Sequence, residues 1–206
     1  MSKIVVAGGT GFVGQGILEQ LRQNPQYELV SISKTGGKPN NQLSGVRYLA
    51  ADLNKDGVWQ QECQEADWLI DCIGILLPNP IKHTSYEQNS LLPPIRLIGA
   101  IENSATKFLF INANASPLKK YMDTKRAIAD FAKSRLNARA FNVYPGLVYD
   151  RTRQSTYYPA LMLKWLIQRA HLSFLTKCRP VPRTTFAQEI EKIVNDQASE
   201  LTQTIS

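Results

Sequence analysis

Apolar and polar positions along this chain form short runs of two kinds, which alternate. Lys3-Ile4-Val5-Val6-Ala7 is β-branched and apolar, the pattern of a strand buried on both faces. After a glycine-rich turn, residues 15–23 carry Ile17, Leu18 and Leu21 at helical spacing. Asn24-Pro25-Gln26 ends that helix, residues 28–33 predict a second strand, and Thr35-Gly36-Gly37-Lys38-Pro39-Asn40-Asn41 predicts a loop. Further along, strands are expected over 46–50, 67–73, 107–111 and 138–143, and helices over 56–65, 86–104 and 121–136. Residues 78–84 read as a loop, and Pro93-Pro94 must start or kink the helix around them. Strands alternating with helices at this spacing predict βαβ units and a parallel sheet covered on both faces, an α/β fold.

Beyond Pro145-Gly146 the pattern changes. Residues 157–175 are rich in large apolar side chains, with Lys164, Arg169 and His171 among them, and predict a helix. Residues 178–183 contain two prolines, and 186–194 predict a last short helix. The expected organisation is a domain over 1–150 and a helical cap over 151–206, too small to fold alone and expected above the carboxyl edge of the sheet.

The balance of 43% apolar and 20% charged residues over 206 positions is that of an ordinary soluble globular protein. The most apolar later stretch, 68–77, is interrupted by Asp71 and is too short to span a bilayer. Only a short apolar run follows the start, so no signal peptide is expected and a cytoplasmic location is. Cys63, Cys72 and Cys178 have no metal-ligand spacing, and His83 and His171 are the only histidines, so no metal site is expected. The net charge is +7, but the basic residues are scattered and not interleaved with aromatics, which argues against a nucleic-acid partner.

The candidate chemistry begins at Gly8-Gly9-Thr10-Gly11-Phe12-Val13-Gly14, between a buried strand and a helix. Gly8 permits a tight reversal, Gly11 lets a pyrophosphate approach the main chain, and Gly14 lets helix and strand pack closely. The helix amino terminus then offers free N–H groups and a positive dipole end to phosphates. This is the setting of a dinucleotide-binding turn, and it predicts a Rossmann-type doubly wound sheet that binds NAD(P). Where many NAD-binding folds place an acid after the second strand, this chain has Ser33-Lys34. Ser33 can hydrogen-bond a ribose, and Lys34 attracts a 2′-phosphate that an acid would repel, which favours NADP(H) over NAD(H).

With these motifs the chain resembles the atypical and extended short-chain dehydrogenase/reductases, which include NAD-dependent epimerases and dehydratases. The resemblance extends over about the first 150 residues. It rests on the glycine turn, on Ala51-Asp52-Leu53, Cys72-Ile73-Gly74 and Tyr86-Glu87-Gln88-Asn89, on Tyr121-Met122-Asp123-Thr124-Lys125, and on Tyr144-Pro145-Gly146-Leu147-Val148-Tyr149. It implies cofactor contacts at Gly8, Thr10, Gly11, Phe12, Val13, Gly14, Ser33 and Lys34. Further contacts are implied at Asp52 and Leu53 for the adenine, and at Cys72, Ile73, Gly74, Tyr144, Pro145, Gly146 and Val148 towards the nicotinamide. Looser similarities join it to the Rossmann accessory subunit of respiratory complex I (Asn112-Ala113-Asn114 before Tyr121). Gly74-Ile75-Leu76-Leu77 and Gly146-Leu147-Val148-Tyr149-Asp150 are similar to the accessory oxidoreductase of coenzyme Q biosynthesis.

Tyr121 and Lys125 stand four residues apart, on one face of a helix. In that arrangement a lysine beside the phenol is expected to lower its pKa and to bind the nicotinamide ribose, while Tyr121 serves as acid/base. The family's Ser or Thr after the fifth strand is missing: the chain reads Phe110-Ile111-Asn112-Ala113-Asn114-Ala115-Ser116, and Ser116 is too close to Tyr121. Asn112 or Asn114 is left to hold a substrate oxygen. Two readings therefore stand. One is an NAD(P)-dependent oxidoreductase or epimerase acting on a small carbonyl or hydroxyl compound. The other is a non-catalytic NAD(P)H-binding accessory or redox-sensing protein that docks on a protein or membrane through the 151–206 cap. A homodimer through the helices over 86–104 and 121–136 is compatible with either.

Overall fold

The computed structural model describes residues 1–79, 81, 83–169 and 178–203. Six strands, β1 (Ser2–Ala7), β2 (Tyr27–Ser33), β3 (Val46–Ala50), β4 (Trp68–Asp71), β5 (Lys107–Ile111) and β6 (Ala140–Val143), form one sheet in the order β3-β2-β1-β4-β5-β6. All five neighbouring pairs are parallel, with Ala7 in register with Ile32 on one side and Asp71 on the other. The strand order reverses between β1 and β4, which opens a crevice at their carboxyl ends. This is the Rossmann-type doubly wound sheet that the pattern predicts.

Alternate side chains divide between two apolar layers. Val5, Ala7, Leu69, Phe108 and Phe110 pack under α2 (Trp59–Gln64), α3 (Leu92–Ile101) and α4 (Lys119–Leu136). On the other face Ile4, Val6, Ile70, Leu109 and Val143 pack under α1 (Phe12–Leu21) and α6 (Arg183–Val194). Both layers are closed to solvent, as a parallel sheet requires.

Several elements differ from expectation for local reasons. Helix α1 begins at Phe12 rather than 15, directly behind the N-cap Gly11. Strand β4 stops at Asp71 because its own carboxylate accepts the Ile73 N–H at 2.8 Å and turns the chain outward. The long helix expected over 86–104 is two pieces: a π-helical turn over Glu87–Leu91, then α3, whose first turn holds Pro93. A proline is tolerated there because the first turn needs no N–H donor.

The tail divides in two. Helix α5 (Gln154–Arg169) begins before the expected 157, and the remainder of that expected helix, 170–175 with His171, lies outside the described residues. It leaves Tyr158, Leu161, Met162 and Trp165 exposed. Helix α6, expected in a cap over the sheet edge, lies instead beside α1 and buries Phe186, Ile190, Ile193 and Val194 against the sheet. The reason is coverage: α1 alone cannot shield its face of a six-stranded sheet. A two-stranded parallel ribbon of β7 (Val148–Tyr149) and β8 (Val181–Pro182) links the two parts.

Two predictions follow from this packing. A Cβ on Gly14 would stand 2.5 Å from the Gly8 carbonyl oxygen and 2.8 Å from Gly9 Cα, backbone that cannot step aside. Gly14→Ala is therefore expected to lose about 1–3 kcal/mol in urea denaturation. On the other face, Glu62 of α2 bonds the Arg47 guanidinium through both oxygens at 2.7 Å and pairs with Lys3 at 2.9 Å. Arg47 first, then Lys3, holds the Glu62 carboxyl at about 2, below its ordinary 4.5. A depressed folded-state pKa stabilises above the unfolded value and loses that stabilisation as pH falls through the folded one. With half-exposed Arg47 screening the pair, Glu62→Gln is expected to cost about 1–2 kcal/mol at pH 7. In acid titrations the difference from wild type should vanish between about pH 4.5 and pH 2.

Candidate functional site

The glycine turn is built from backbone contacts. Gly8 has φ +80°, donates its N–H to the Ile32 carbonyl at 2.8 Å and accepts the Gly11 N–H at 2.9 Å. No side chain caps the α1 amino terminus at Gly11, so the first N–H groups of the helix point into the crevice without a side-chain acceptor. The loop after β2 closes over this turn: Gly36 and Gly37 both have positive φ, and a Cβ on Gly37 would meet the Thr10 methyl at 2.9 Å. Phe12, the first residue of α1, lies between two guanidinium groups, Arg153 at 5.0 Å and Arg183 at 5.3 Å from its ring centre. Arg183 is fixed there by Glu19 at 2.6 Å, and it packs where a Cβ on Gly16 would have stood.

Beside the turn a cavity of about 170 Å³ gathers Gly8, Ser33, Lys34, Asp52, Leu53 and Ile73 from four separate loops. All six are candidates from the sequence. Asn54, Gln88, Asn89 and Pro93 also line it and were not among the candidates. Ser33 lines the cavity, while its hydroxyl oxygen is shielded from solvent and has no hydrogen-bond partner. Asp52 accepts the Asn54 N–H at 3.1 Å, which shapes the loop after β3. An uncapped helix terminus, a turn with no room for side chains and a cavity lined by polar residues of separate loops together fit a dinucleotide.

Deeper in the crevice, α4 brings Tyr121 and Lys125 to the ends of β4 and β5. Lys125 is 7% exposed; its Nζ donates to the Ile111 carbonyl at 2.6 Å and lies 4.4 Å from the centre of the Phe110 ring. Burial pushes Lys125 down to about 8, against the pull of Asp71, which keeps it charged. Asp71 is fully buried, and burial raises it to about 6, countered by Lys125 and the Ile73 N–H. The Lys125 Nζ is 5.9 Å from the Tyr121 ring centre. Contrary to the expected lowering by lysine, burial and then Tyr86 raise the Tyr121 phenol. Lys125 bonds a main-chain carbonyl below the ring, which accounts for the difference.

Asn112 directly follows β5 and is buried, with its Oδ1 accepting the Ala113 N–H at 2.8 Å. Asn114 donates its main-chain N–H to Pro145 at 3.2 Å and so ties the loops after β5 and β6 together. Ser116 accepts the Leu118 N–H at 3.2 Å just ahead of α4. Tyr144 donates its N–H to the Leu201 carbonyl at 2.8 Å. Gly146 is confined by main chain, since a Cβ would stand 2.2 Å from the Arg179 carbonyl oxygen; Val148 packs into the α1–α6 layer. Cys72 and Gly74 follow β4, and burial raises the Cys72 thiol. A Cβ on Gly74 would stand 3.8 Å from Lys125 Nζ. Asp71 was legible only as a charge that interrupts an apolar strand. Arg153 is a candidate from the tail, Arg183 carries no motif, and only the fold brings the two to Phe12.

Comparison with known proteins agrees with this geometry. The family model described as the NAD dependent epimerase/dehydratase family matches residues 4–173. One curated relative, 1-deoxy-D-xylulose 5-phosphate reductoisomerase of Corynebacterium jeikeium, is 38% identical over 69 residues, 33% of this chain and 16% of that protein. The chain thus spans about a sixth of the length of the curated relative it matches. Among solved structures, UDP-glucuronic acid 4-epimerase from Bacillus cereus in complex with NAD is 16% identical at TM-score 0.72, over 98% of this chain and 76% of that one. A short chain dehydrogenase family protein from Francisella tularensis is 19% identical at TM-score 0.63, over 96% and 92%. The UDP-N-acetylglucosamine 4-epimerase of Methanobrevibacter ruminantium, in complex with UDP-N-acetylmuramic acid, is 15% identical at TM-score 0.64, over 91% and 71%. At these identities the solved structures are like this chain in fold. The match over most of its length and the Rossmann crevice together establish that the chain belongs to the NAD dependent epimerase/dehydratase family.

Proposed function

We propose that this protein binds a nicotinamide dinucleotide across the carboxyl edge of its sheet and acts as an oxidoreductase or epimerase on a small carbonyl or hydroxyl compound. The observation that carries the reading is the uncapped α1 terminus beside a cavity lined by Gly8, Ser33, Lys34 and Asp52. Gly8, Thr10, Gly11, Phe12, Val13 and Gly14 would hold the pyrophosphate, and Asp52 and Leu53 the adenine. Ser33 and Lys34 would take the adenosine ribose. Cys72, Ile73, Gly74, Tyr144, Pro145, Gly146 and Val148 would border the nicotinamide. When bound, the nicotinamide supplies or accepts the hydride. Lys125 would hold its ribose, and Asn112 or Asn114 would orient the substrate oxygen. Burial keeps the Tyr121 phenol protonated at neutral pH, so Tyr121 is set to donate a proton to a carbonyl oxygen.

NADP(H) is the preferred cofactor in this reading. No acid ends β2, Lys34 stands at the cavity beside Ser33, and two successive left-handed glycines shape the loop that follows. A second reading, a binding protein without turnover, draws on the residues after β5, where Asn112 and Asn114 stand in place of the family's Ser or Thr hydroxyl. In that case the exposed apolar residues of α5 would meet a protein or membrane partner.

Fluorescence titration of the purified protein with NADPH and NADH tests the cofactor. Tight binding of NADPH is expected, and Lys34→Ala should weaken NADPH about tenfold, the size of one charge-assisted hydrogen bond, and leave NADH unchanged. If neither dinucleotide binds at physiological concentration, the reading fails. Tyr121→Phe tests the chemistry: turnover in a screen of carbonyl compounds and UDP-sugars should fall by about 10²–10⁴ with dinucleotide affinity preserved. Wild-type protein that binds NADPH and turns over no substrate would favour the second reading.

A further inference from the structure

Asp71 is the last residue of β4, paired in the sheet with Ala7 on one side and Phe110 on the other. Strand alternation puts its side chain on the face of Leu69, in the apolar layer under α3 and α4. One carboxylate oxygen accepts the Ile73 N–H at 2.8 Å; the other is buried with no partner. Lys125 enters the same layer from α4. Its Nζ lies over Phe110, the residue paired with Asp71, and uses one donor on the Ile111 carbonyl. Gly74, after β4, also borders the ammonium: a Cβ there would stand 3.8 Å from Lys125 Nζ.

The titratable groups around Lys125 come from three places. Asp71 and Cys72 approach from the end of β4, and Tyr121 from α4 itself. Tyr86, ahead of α3, donates its hydroxyl to the Leu76 carbonyl at 2.7 Å, with Lys120 5.9 Å from its ring centre. Burial keeps both the Cys72 thiol and the Tyr121 phenol neutral. That leaves Asp71 as the negative charge facing the ammonium within this layer.

We propose that Asp71 is a positioning residue: from the strand end beside Phe110, its carboxylate keeps the buried Lys125 ammonium charged, and so able to bind a cofactor ribose. The proposal rests on the reading that this chain binds a nicotinamide dinucleotide. Remove the carboxylate, and the Ile111 carbonyl is left to oppose burial, so Lys125 gives up its proton at a lower pH.

The test compares wild type, Asp71→Asn and Lys125→Met by NADPH and NADH titration from pH 5.5 to 9. Asparagine keeps the acceptor for the Ile73 N–H and removes the charge. Wild-type affinity should hold up to about pH 8 and then fall. Asp71→Asn should match wild type near pH 5.5, where Asp71 is itself protonated, and lose affinity about one pH unit earlier, to roughly threefold weaker binding at pH 7.5. Lys125→Met should bind weakly with no such pH dependence. An equal loss in Asp71→Asn at every pH would mean a structural role only and overturn the proposal. Competitive labelling of Lys125 with acetic anhydride across pH, read by mass spectrometry, needs no cofactor, so it separates failure of this proposal from failure of the cofactor reading. The Lys125 pKa should drop by about one unit or more in Asp71→Asn; an unchanged value would sink the idea. Should that variant not fold, Asp71→Ser decides by the same labelling: a drop of about one unit or more supports the proposal, and an unchanged value overturns it.

Discussion

The contact on which the rest of the structure depends is the approach of main chain to main chain at the glycine turn. Gly14, in the first turn of α1, lies so close to Gly8 and Gly9 that a single methyl group would meet the Gly8 carbonyl oxygen at 2.5 Å. That approach sets α1 against the end of β1 and directs its uncapped amino terminus into the crevice. It also lays Ile17, Leu18 and Leu21 on Ile4 and Val6, so one contact serves both the core and the site. Two residues further on, Gly16 makes room for the Arg183 side chain, and α6 settles beside α1. The first helix and the last chain segment are therefore coupled through glycines that were selected by space rather than by backbone freedom.

A second constraint is electrostatic. Parallel sheets bury their strand ends, and the crevice opens where β1 and β4 part. Polar groups needed there must be carried at the margin of two apolar layers. Lys125 and Asp71 both pay for this position in desolvation: burial lowers the amine and raises the carboxyl, while each partly offsets the loss for the other. The Tyr121 phenol is raised in the same way, and it stays a proton donor over the neutral range. The surface ion pairs, such as Lys107 with Asp196 or Arg126 with Asp123, are more exposed and contribute little by comparison.

The tail serves two different ends. Helix α6 closes the second layer and belongs to the core as firmly as α1 does. Helix α5 packs less completely, with Ala160 buried but Tyr158, Leu161, Met162 and Trp165 outward. No described helix is long and apolar enough to cross a membrane. Arg153, just ahead of α5, reaches back to Phe12, so the tail also contributes charge to the rim of the glycine turn.

The sequence by itself determined the sheet and the turn. Continuous apolar runs such as Phe108-Leu109-Phe110 and the order of strands and helices follow from local periodicity, and the glycine spacing follows from steric limits that any such turn must obey. It also singled out Ser33, Lys34, Asp52 and Ile73, which the fold gathers at one cavity. Tertiary structure decided what depends on distance between remote segments. The place of α6 was illegible because an amphipathic helix records that it has an apolar face, and not which face of the sheet it will cover. The direction of the Tyr121 shift was illegible because helical spacing fixes only that Tyr121 and Lys125 share a face. Which atom the ammonium bonds was settled by the Ile111 carbonyl on another strand. Asp71 showed in the sequence as one charge in an apolar strand; its meaning came from α4, about fifty residues later, which brings Lys125 into the same buried layer.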